Sequence, residues 1–330
     1  MEIGAIKAQS EAAYGQWAAQ WREHAKIHSK FSMKKWDELE NSGIGKAILL
    51  VGNGWSLEKE IETIKKYKDQ VDIICCDKSL GHLIKNGIKP TYCLVADANV
   101  NYEKYMQPYE NDLDQTTMFV NVCANPKWTH NGNWKEMFFF INKDALNSEV
   151  EFQKLSGCEN IVVAGTNVSN AMMIVLTQCD NIVGARNFMS YDKYLLIGYD
   201  YSWSAEGNYY AFDKTGGGKI NYMRHIYLQN LRGDLCFTSN NLMFSAQWLD
   251  KYIGTYNLPV VQCSEDSIFL TRYKGVLADQ MQYSFKRSDV DFVKESLKKL
   301  KEINKERSRL TLQLRAVASS HHNAMLMSVS

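Results

Sequence analysis

The chain has 330 residues, of which 45% are hydrophobic and 23% charged, and its formal net charge at pH 7 is +1. This composition supports a full hydrophobic core and excludes a wholly disordered chain. A net charge close to zero gives no general argument for a nucleic-acid or membrane partner. Four prolines are too few for a proline-rich linker, so we expect one large domain with appendages.

The sequence carries no sign of secretion or membrane insertion. Met1 is followed by Glu2 and a polar helical pattern rather than by the apolar core of a signal peptide. No apolar run approaches the ~20 residues that span a bilayer. The eight cysteines are scattered without a C-x-x-C pair, and most lie in apolar runs, as small buried residues do in a reducing compartment. We expect a cytoplasmic protein with no membrane span.

The first 40 residues have a helical pattern, with Trp17, Trp21 and Ala25 spaced four apart, and glycine at residue 43 predicts the end of this segment. His24 and His28 are also four apart, a spacing that can chelate a metal. With no third ligand nearby in the sequence, the pair is better interpreted as part of a solvated helix face.

From residue 47 onward, short apolar runs alternate with helical patterns. The predicted strands are 47–51, 71–76, 92–96, 117–122, 137–141, 160–164, 194–197 and 259–263. The predicted helices are 58–68, 79–86, 168–177, 241–253 and 289–315. Strands alternating with helices predict an α/β fold with a doubly wound, mostly parallel, Rossmann-like sheet and helical appendages at both ends.

Three aspartates directly follow predicted strands, namely Asp77, Asp97 and Asp200. The carboxyl ends of parallel strands share one edge of the sheet, and ligands of such sheets bind beyond that edge. Strand-end carboxylates can bind Mg²⁺, hold a ribose or cap a neighbouring helix. Three on one edge favour a ligand site.

The first strand leads into its helix through Gly52-Asn53-Gly54-Trp55-Ser56-Leu57. Glycine allows close approach of the backbone to a ligand, and backbone N–H groups at a helix N-terminus bind phosphate. A tight turn without a ligand is an equally weighted alternative. The third glycine of the dinucleotide-binding fingerprint is missing.

Residues 201–241 interrupt the alternation and are rich in aromatic residues. Gly216-Gly217-Gly218-Lys219 is not a P-loop, because Ile220 stands where Ser or Thr is required. A long irregular segment in a compact domain is typically a functional lid or a disordered loop, and in a lid the glycines would be the hinge. The predicted organisation is a helical segment at 1–43, a nucleotide-binding domain at 44–285 with its lid at 201–241, and a C-terminal helix with a disordered tail at 286–330.

These motifs, in this order, resemble the family that unites bacterial motility accessory factors with the archaeal 6-hydroxymethyl-7,8-dihydropterin pyrophosphokinase (MptE-like). The resemblance covers roughly residues 45–275, with Trp55 in place of the family's usual proline. The elements that carry it are Gly52 to Leu57, Asp77, Gly87-Ile88-Lys89-Pro90, Asp97, Gly165 to Ala171 and Gly198-Tyr199-Asp200.

The same order also resembles bacterial lipooligosaccharide sialyltransferases, whose C-terminal acidic element is similar to Ser264-Glu265-Asp266-Ser267-Ile268. In those enzymes a lid supplies a catalytic histidine and tyrosines for the nucleotide phosphate. The resemblance implies that His225 deprotonates the acceptor, with Asp97 as the other catalytic residue, and that Tyr222 or Tyr227 binds the departing phosphate. The implied donor-binding residues are Gly52, Asn53, Gly54, Ser56, Asp77, Asp97, Gly165, Thr166, Asn167, Asp200, Tyr222, Tyr227 and Ser267.

The resemblance implies a transferase, and we favour a glycosyltransferase that moves a sugar from a nucleotide sugar to a hydroxyl group. The alternative is a pyrophosphokinase that uses ATP, with Mg²⁺ gathered by Asp77, Asp97 and Asp200. A non-catalytic scaffold of the same fold is a third hypothesis. No cofactor is certain, and the acceptor (glycan, protein or modified DNA) is left open. The basic C-terminal helix is expected to be a solvated face or to join two copies in a homo-oligomer.

Overall fold

A computed structural model describes residues 2–143, 146–163, 166–178, 188–213, 220, 225–269, 273–282, 302 and 306, with side chains from residue 11 onward. The chain divides into two compact units, Met1–Ser284 and Phe285–Ser330. All of the strands and helices named below belong to the first unit. The predicted C-terminal helix and tail lie outside the described residues apart from 302 and 306.

The described strands form one large sheet and one hairpin. They are β1 (Ala47–Val51), β2 (Asp72–Cys76), β3 (Tyr92–Val95), β4 (Thr117–Asn121), β5 (Glu136–Lys143), β6 (Ile161–Val163), β7 (Lys193–Ile197), β8 (Ile226–Gln229), β9 (Leu235–Thr238), β10 (Val260–Gln262) and β11 (Tyr273–Lys274). The sheet order is β11-β10-β7-β1-β2-β3-β4-β5-β6, and its described pairings are all parallel. β8 and β9 pair antiparallel as a separate hairpin.

Helices cover both faces of the sheet. They are α1 (Glu2–His28), α2 (Leu57–Tyr67), α3 (Asp77–Lys85), α4 (Tyr102–Tyr105), α5 (Lys127–Asn131), α6 (Glu149–Ser156), α7 (Val168–Thr177), α8 (Asn240–Tyr256) and α9 (Leu277–Met281). No helix within the described ranges is long and apolar enough to cross a bilayer.

The alternation of side chains along β1 shows why both faces need helices. Leu49 points into a core shared with α1, α2 and α3, whereas Ile48 and Leu50 point into a core shared with α7 and α8. All five residues of β1 are buried. A strand that is apolar on both faces is typical of a central strand in a doubly wound sheet, so the predicted fold class is confirmed.

Helix α1 is shorter than the predicted 1–40 and is attached to the sheet rather than solvated. The His28 ring is fully buried and its Nδ1 donates to the Val122 carbonyl at 2.8 Å, while Nε2 lies 3.2 Å from the Thr129 hydroxyl. Burial lowers the pKa of His28 to about 4, so the ring is neutral at pH 7. His24 Nδ1 donates to the Cys123 carbonyl at 2.9 Å. The interpretation of this histidine pair as a solvated face was therefore wrong.

The described part of 201–241 is more regular than the sequence suggested. Trp203 exchanges backbone hydrogen bonds with Phe237 in β9, at 2.7 and 3.0 Å. Ala211 N–H donates to the Asn53 carbonyl at 3.0 Å, which joins residues 201–213 to the turn after β1. Gly216, Gly217, Gly218 and Lys219 lie outside the described residues.

The turn after β1 packs backbone to backbone against the end of β7. Gly52 N–H donates to the Ile197 carbonyl at 2.8 Å, and Gly54 N–H donates to the Gly198 carbonyl at 2.9 Å. A Cβ atom on Gly52 would lie 2.4 Å from the Gly198 oxygen, and one on Gly198 would lie 2.5 Å from the Gly52 oxygen. Gly198 also has a φ of +70°, in the region that favours glycine. These glycines are therefore needed for packing, whether or not a ligand binds.

A matched pair of substitutions separates the packing requirement from the backbone angle. Gly157 ends α6 with a φ of +76° and has no atom within 4 Å of a built Cβ. Gly157→Ala should lower the free energy of unfolding by about 1–2 kcal/mol, the usual effect of a left-handed alanine. Gly198→Ala should lower it by at least about twice as much, because a backbone carbonyl must also move. Urea denaturation of both variants measures the difference, and equal losses would contradict the close packing.

Candidate functional site

A cavity of about 250 Å³ lies at the carboxyl edge of the sheet beside β1. β1 has β2 on one side and β7 on the other, so the strand order reverses here. Ligands of doubly wound sheets bind at such switch points. We call this the switch-point cavity, and it is lined among others by Asn53, Asp77, Asp97, Asn167, Asp200 and Tyr210.

Asp200, which follows β7, caps helix α2 from a distant part of the chain. Its carboxylate accepts hydrogen bonds from the backbone N–H of Ser56 at 2.8 Å and from the Ser56 hydroxyl at 2.5 Å. Burial raises the pKa of Asp200 to about 6, although the bonds from Ser56 work in the opposite direction. The helix terminus that the sequence predicted for donor phosphates thus already receives a carboxylate.

The Asp200 carboxylate also leaves no room for a side chain at Gly54. A Cβ there would lie 2.5 Å from an Asp200 carboxylate oxygen and 2.6 Å from the Gly198 carbonyl oxygen. The geometry accounts for Gly52, Gly54 and Ser56 as parts of the contact between the turn and β7. Their predicted contact with donor phosphates stays a prediction.

The side chain of Asn53 lies in the wall of the cavity and makes no hydrogen bond to the described residues. Its side chain is 7% exposed, and neither its amide oxygen nor its amide nitrogen has a hydrogen-bond partner among the described residues. Each buried polar group left without a partner costs about 1–3 kcal/mol. Asn53 lines the cavity, so these two atoms lie where a bound molecule would meet them.

Asp77 begins α3 and presents one carboxylate oxygen without a described partner. Its other oxygen accepts the Lys78 backbone N–H at 2.7 Å. Burial raises the pKa of Asp77 to about 7; Lys78 opposes this shift and the nearby Asp97 adds to it. Asp97 is exposed and accepts the Asn99 backbone N–H at 2.8 Å. The wall of the cavity therefore holds one solvated carboxyl group, that of Asp97, and two buried ones, those of Asp77 and Asp200.

The positively charged side chain of Lys78 also lines the cavity. Lys78 Nζ donates to the Tyr210 hydroxyl at 3.0 Å and lies 4.5 Å from the centroid of the Tyr210 ring. Neither Lys78 nor Tyr210 was among the site residues predicted from the sequence. The position of Lys78 directly after Asp77 was the available sign of a functional residue, because a lysine in the first turn of a helix is unfavourable for the helix dipole.

The N-terminus of α7 also lines the cavity. Its N-cap Asn167 accepts the Asn170 backbone N–H at 2.8 Å, and the Asn170 amide donates to the Thr166 hydroxyl at 2.7 Å. Thr166 and Asn167 were predicted donor-binding residues and both lie in the cavity wall. Gly165 lies outside the described residues.

Three other predicted residues lie apart from the described wall of the cavity. The His225 and Trp203 rings pack with centroids 4.5 Å apart, and Tyr227 is 51% exposed beside Phe237. The Ser267 hydroxyl is buried and donates to the Tyr199 carbonyl at 2.7 Å. The roles assigned to these residues stay predictions, and Tyr222 lies outside the described residues.

The unusual pKa of Asp77 predicts a measurable effect on stability. A carboxyl group with a raised pKa binds more protons in the folded state, so the protein loses stability as pH rises from about 4 to 7. Asp77→Asn should remove this loss and stabilise the protein at pH 8 by a few kcal/mol, at ~1.4 kcal/mol for each unit of pKa. Denaturant titrations at pH 5 and pH 8 measure it, with Asp112→Asn, at an exposed residue that does not contribute to this pKa shift, as control. No stability gain of Asp77→Asn over this control at pH 8 would contradict the account.

The sequence matches the family described as 6-hydroxymethylpterin diphosphokinase MptE-like over residues 21–206, more than half of the chain. No curated protein matches it significantly. A solved structure, the MAf glycosyltransferase from Magnetospirillum magneticum AMB-1, is similar in fold with a TM-score of 0.56 and 14% sequence identity. The likeness covers 86% of this chain and 42% of that one, so the chain spans about two fifths of that enzyme.

The matched region runs from α1 through the end of β7 and so contains the turn after β1, both strand-end aspartates of β2 and β3, and the start of α7. The suggested resemblance to this family is confirmed, and with it a transferase-type fold. The chain belongs to the MptE-like family.

Proposed function

We propose that this protein is a transferase that binds a nucleotide sugar in the switch-point cavity and passes the sugar to a hydroxyl acceptor. The observation that carries the proposal is Asn53, whose buried amide has no described partner and which lies in the cavity with Lys78 and the start of α7. The fold shared with a glycosyltransferase from Magnetospirillum is consistent with this choice.

The donor diphosphate is assigned to the N-terminus of α7. The N-terminus of α2 is capped by the carboxylate of Asp200, whereas that of α7 is capped by the neutral amide of Asn167, and residues 166–169 line the cavity. Backbone N–H groups and the helix dipole favour an anion at such a terminus. Lys78, across the same cavity, adds positive charge that stabilises the leaving phosphate.

Asp97 is the proposed base. In the transfer, the acceptor oxygen forms a bond to the anomeric carbon, the bond from that carbon to the phosphate oxygen breaks, and the hydroxyl proton passes to a carboxylate. Asp97 is exposed at the carboxyl edge of the sheet and lines the cavity, so it can accept a proton there. The role of His225 as an alternative base rests on the resemblance to sialyltransferases.

Diphosphate transfer from ATP is the second candidate, and the pair Asp77 and Asp97 favours it. Mg²⁺ is usually held by one or two carboxylates together with substrate phosphates. The Asp77 oxygen without a described partner and the exposed Asp97 carboxylate fit that donor set, whereas the Asp200 oxygens accept hydrogen bonds from Ser56. In this case the two residues would hold Mg²⁺ against the phosphates of ATP.

Donor specificity separates the candidates. We expect one of a panel of nucleotide sugars, offered with Mg²⁺, to raise the melting temperature and to be slowly hydrolysed to its nucleotide. At a hundred times its Kd a ligand stabilises by about 2.7 kcal/mol, which is readily detected. Release of AMP from ATP would instead establish diphosphate transfer. Binding of neither class would leave the non-catalytic scaffold.

Replacing Asn53 tests the observation on which the proposal depends. Asn53→Leu removes two unpartnered polar atoms, so it should leave stability unchanged or raised and weaken nucleotide binding by about tenfold or more. Asn160 is the matched contrast, because its buried amide donates to the Lys34 and Phe139 carbonyls at 2.8 Å each. Asn160→Leu should lower stability and leave nucleotide affinity unchanged. Wild-type affinity in Asn53→Leu would remove Asn53 from the site.

A further inference from the structure

A second cavity, of about 420 Å³, lies beside the switch-point cavity between helix α1 and the carboxyl ends of β3, β4 and β5. We call it the α1 cavity. Asp97, Asn167 and Val168 line both cavities, so the two share a wall. A molecule in the α1 cavity would therefore meet the donor at Asp97, the proposed base.

Helix α1 is held over this cavity by polar contacts along its length. Tyr14 donates to Glu151 of α6, and Arg22 forms an ion pair with the same carboxylate at 2.6 Å. The Gln20 amide donates to the Asn99 side chain at 3.2 Å. Together with the two histidines described above, these contacts make α1 a fixed wall of the cavity.

The lining has two kinds of surface. Trp17 and Trp21 of α1 and Phe152 of α6 give broad apolar faces, and the Trp21 and Phe152 rings pack edge to face at 6.5 Å. Asn142 presents a buried amide oxygen that has no hydrogen-bond partner in the described part of the chain. Binding pockets that combine apolar walls with a few fixed polar groups select ligands by shape and by edge contacts. The complementary ligand is a six-membered ring with an apolar face and hydroxyl groups at its edge, which can donate to the Asn142 oxygen.

Trp17 lies outside the region that matches the family, which begins at residue 21. Family membership therefore does not account for this part of the wall. An aromatic side chain of two rotatable bonds binds a ring at low entropic cost.

We propose that the α1 cavity is the acceptor site and that Trp17 determines which acceptor is used. The acceptor is a hexopyranose, whose apolar C–H face packs on the aromatic rings and which carries its reactive hydroxyl on the ring. This inference rests on the proposed transfer to a hydroxyl group, because it needs a donor in the adjoining cavity.

The test is calorimetric titration of the full-length protein, already saturated with the nucleotide found to bind. One arm uses methyl hexopyranosides and the other uses 6-hydroxymethylpterin. We expect saturable binding of a hexopyranoside, weakened about tenfold or more by Trp17→Ala and by Asn142→Leu, and no saturable binding of the pterin. Trp248, a half-buried tryptophan of α8 whose ring stacks on Tyr252, is the matched control. Trp248→Ala should change the affinity less than twofold.

The outcomes distinguish this inference from the proposed function. If the wild-type protein binds no nucleotide, both the proposed function and this inference are overturned. If nucleotide binds normally but no hexopyranoside binds, if the pterin binds instead, or if Trp17→Ala and Trp248→Ala have equal effects, the acceptor site alone is overturned. Each variant is first assayed for nucleotide-dependent stabilisation, so that an unfolded variant is recognised and replaced by Trp17→Phe. That variant should retain most of the affinity.

Discussion

The contact between the turn after β1 and the end of β7 determines how the rest of the site is built. Gly52 and Gly198 approach so closely that neither has room for a Cβ atom. The contact places Asp200 under the first turn of α2, where Ser56 donates both its backbone N–H and its hydroxyl. An internal carboxylate at a helix N-terminus satisfies the groups that would otherwise bind an external anion. The glycines of this turn are therefore required for packing, and the polar groups without a described partner belong to neighbouring side chains.

Two of these side chains, those of Asn53 and Asp77, have polar atoms that make no hydrogen bond to the described residues. Asn53 has two amide atoms and Asp77 has one carboxylate oxygen without a described partner, and both side chains are almost fully buried. Burial also raises the pKa of Asp77 to about 7, so its charge responds to pH and to any cation or phosphate nearby. Stability lost at such positions is typical of sites whose groups are completed by a ligand.

The sequence predicted the sheet well because the evidence for buried strands is local. The apolar run 47–51 coincides with β1, and α7 was predicted at its observed bounds of Val168–Thr177. The hairpin of β8 and β9 was missed, because three of the four residues of β8 are exposed and its pattern is not that of a core strand. The end of α1 at His28 depends on contacts with Val122 and Thr129, about a hundred residues away, which no local pattern records. The three strand-end aspartates could be grouped from the sequence because each stands at the end of an apolar run. The capping role of Asp200 could not be predicted, because its partner Ser56 is 144 residues away.

The proposed function requires that the donor diphosphate bind at the start of α7, because the start of α2 is already capped by a carboxylate, that of Asp200. A crystal structure with a bound nucleoside diphosphate tests this most directly. We expect phosphate oxygens within hydrogen-bond distance of backbone N–H groups in residues 166–169, with the Asp200 carboxylate still hydrogen-bonded to Ser56. Phosphate bound instead at the N–H groups of Gly54 and Ser56, with the Asp200 carboxylate displaced, would contradict it.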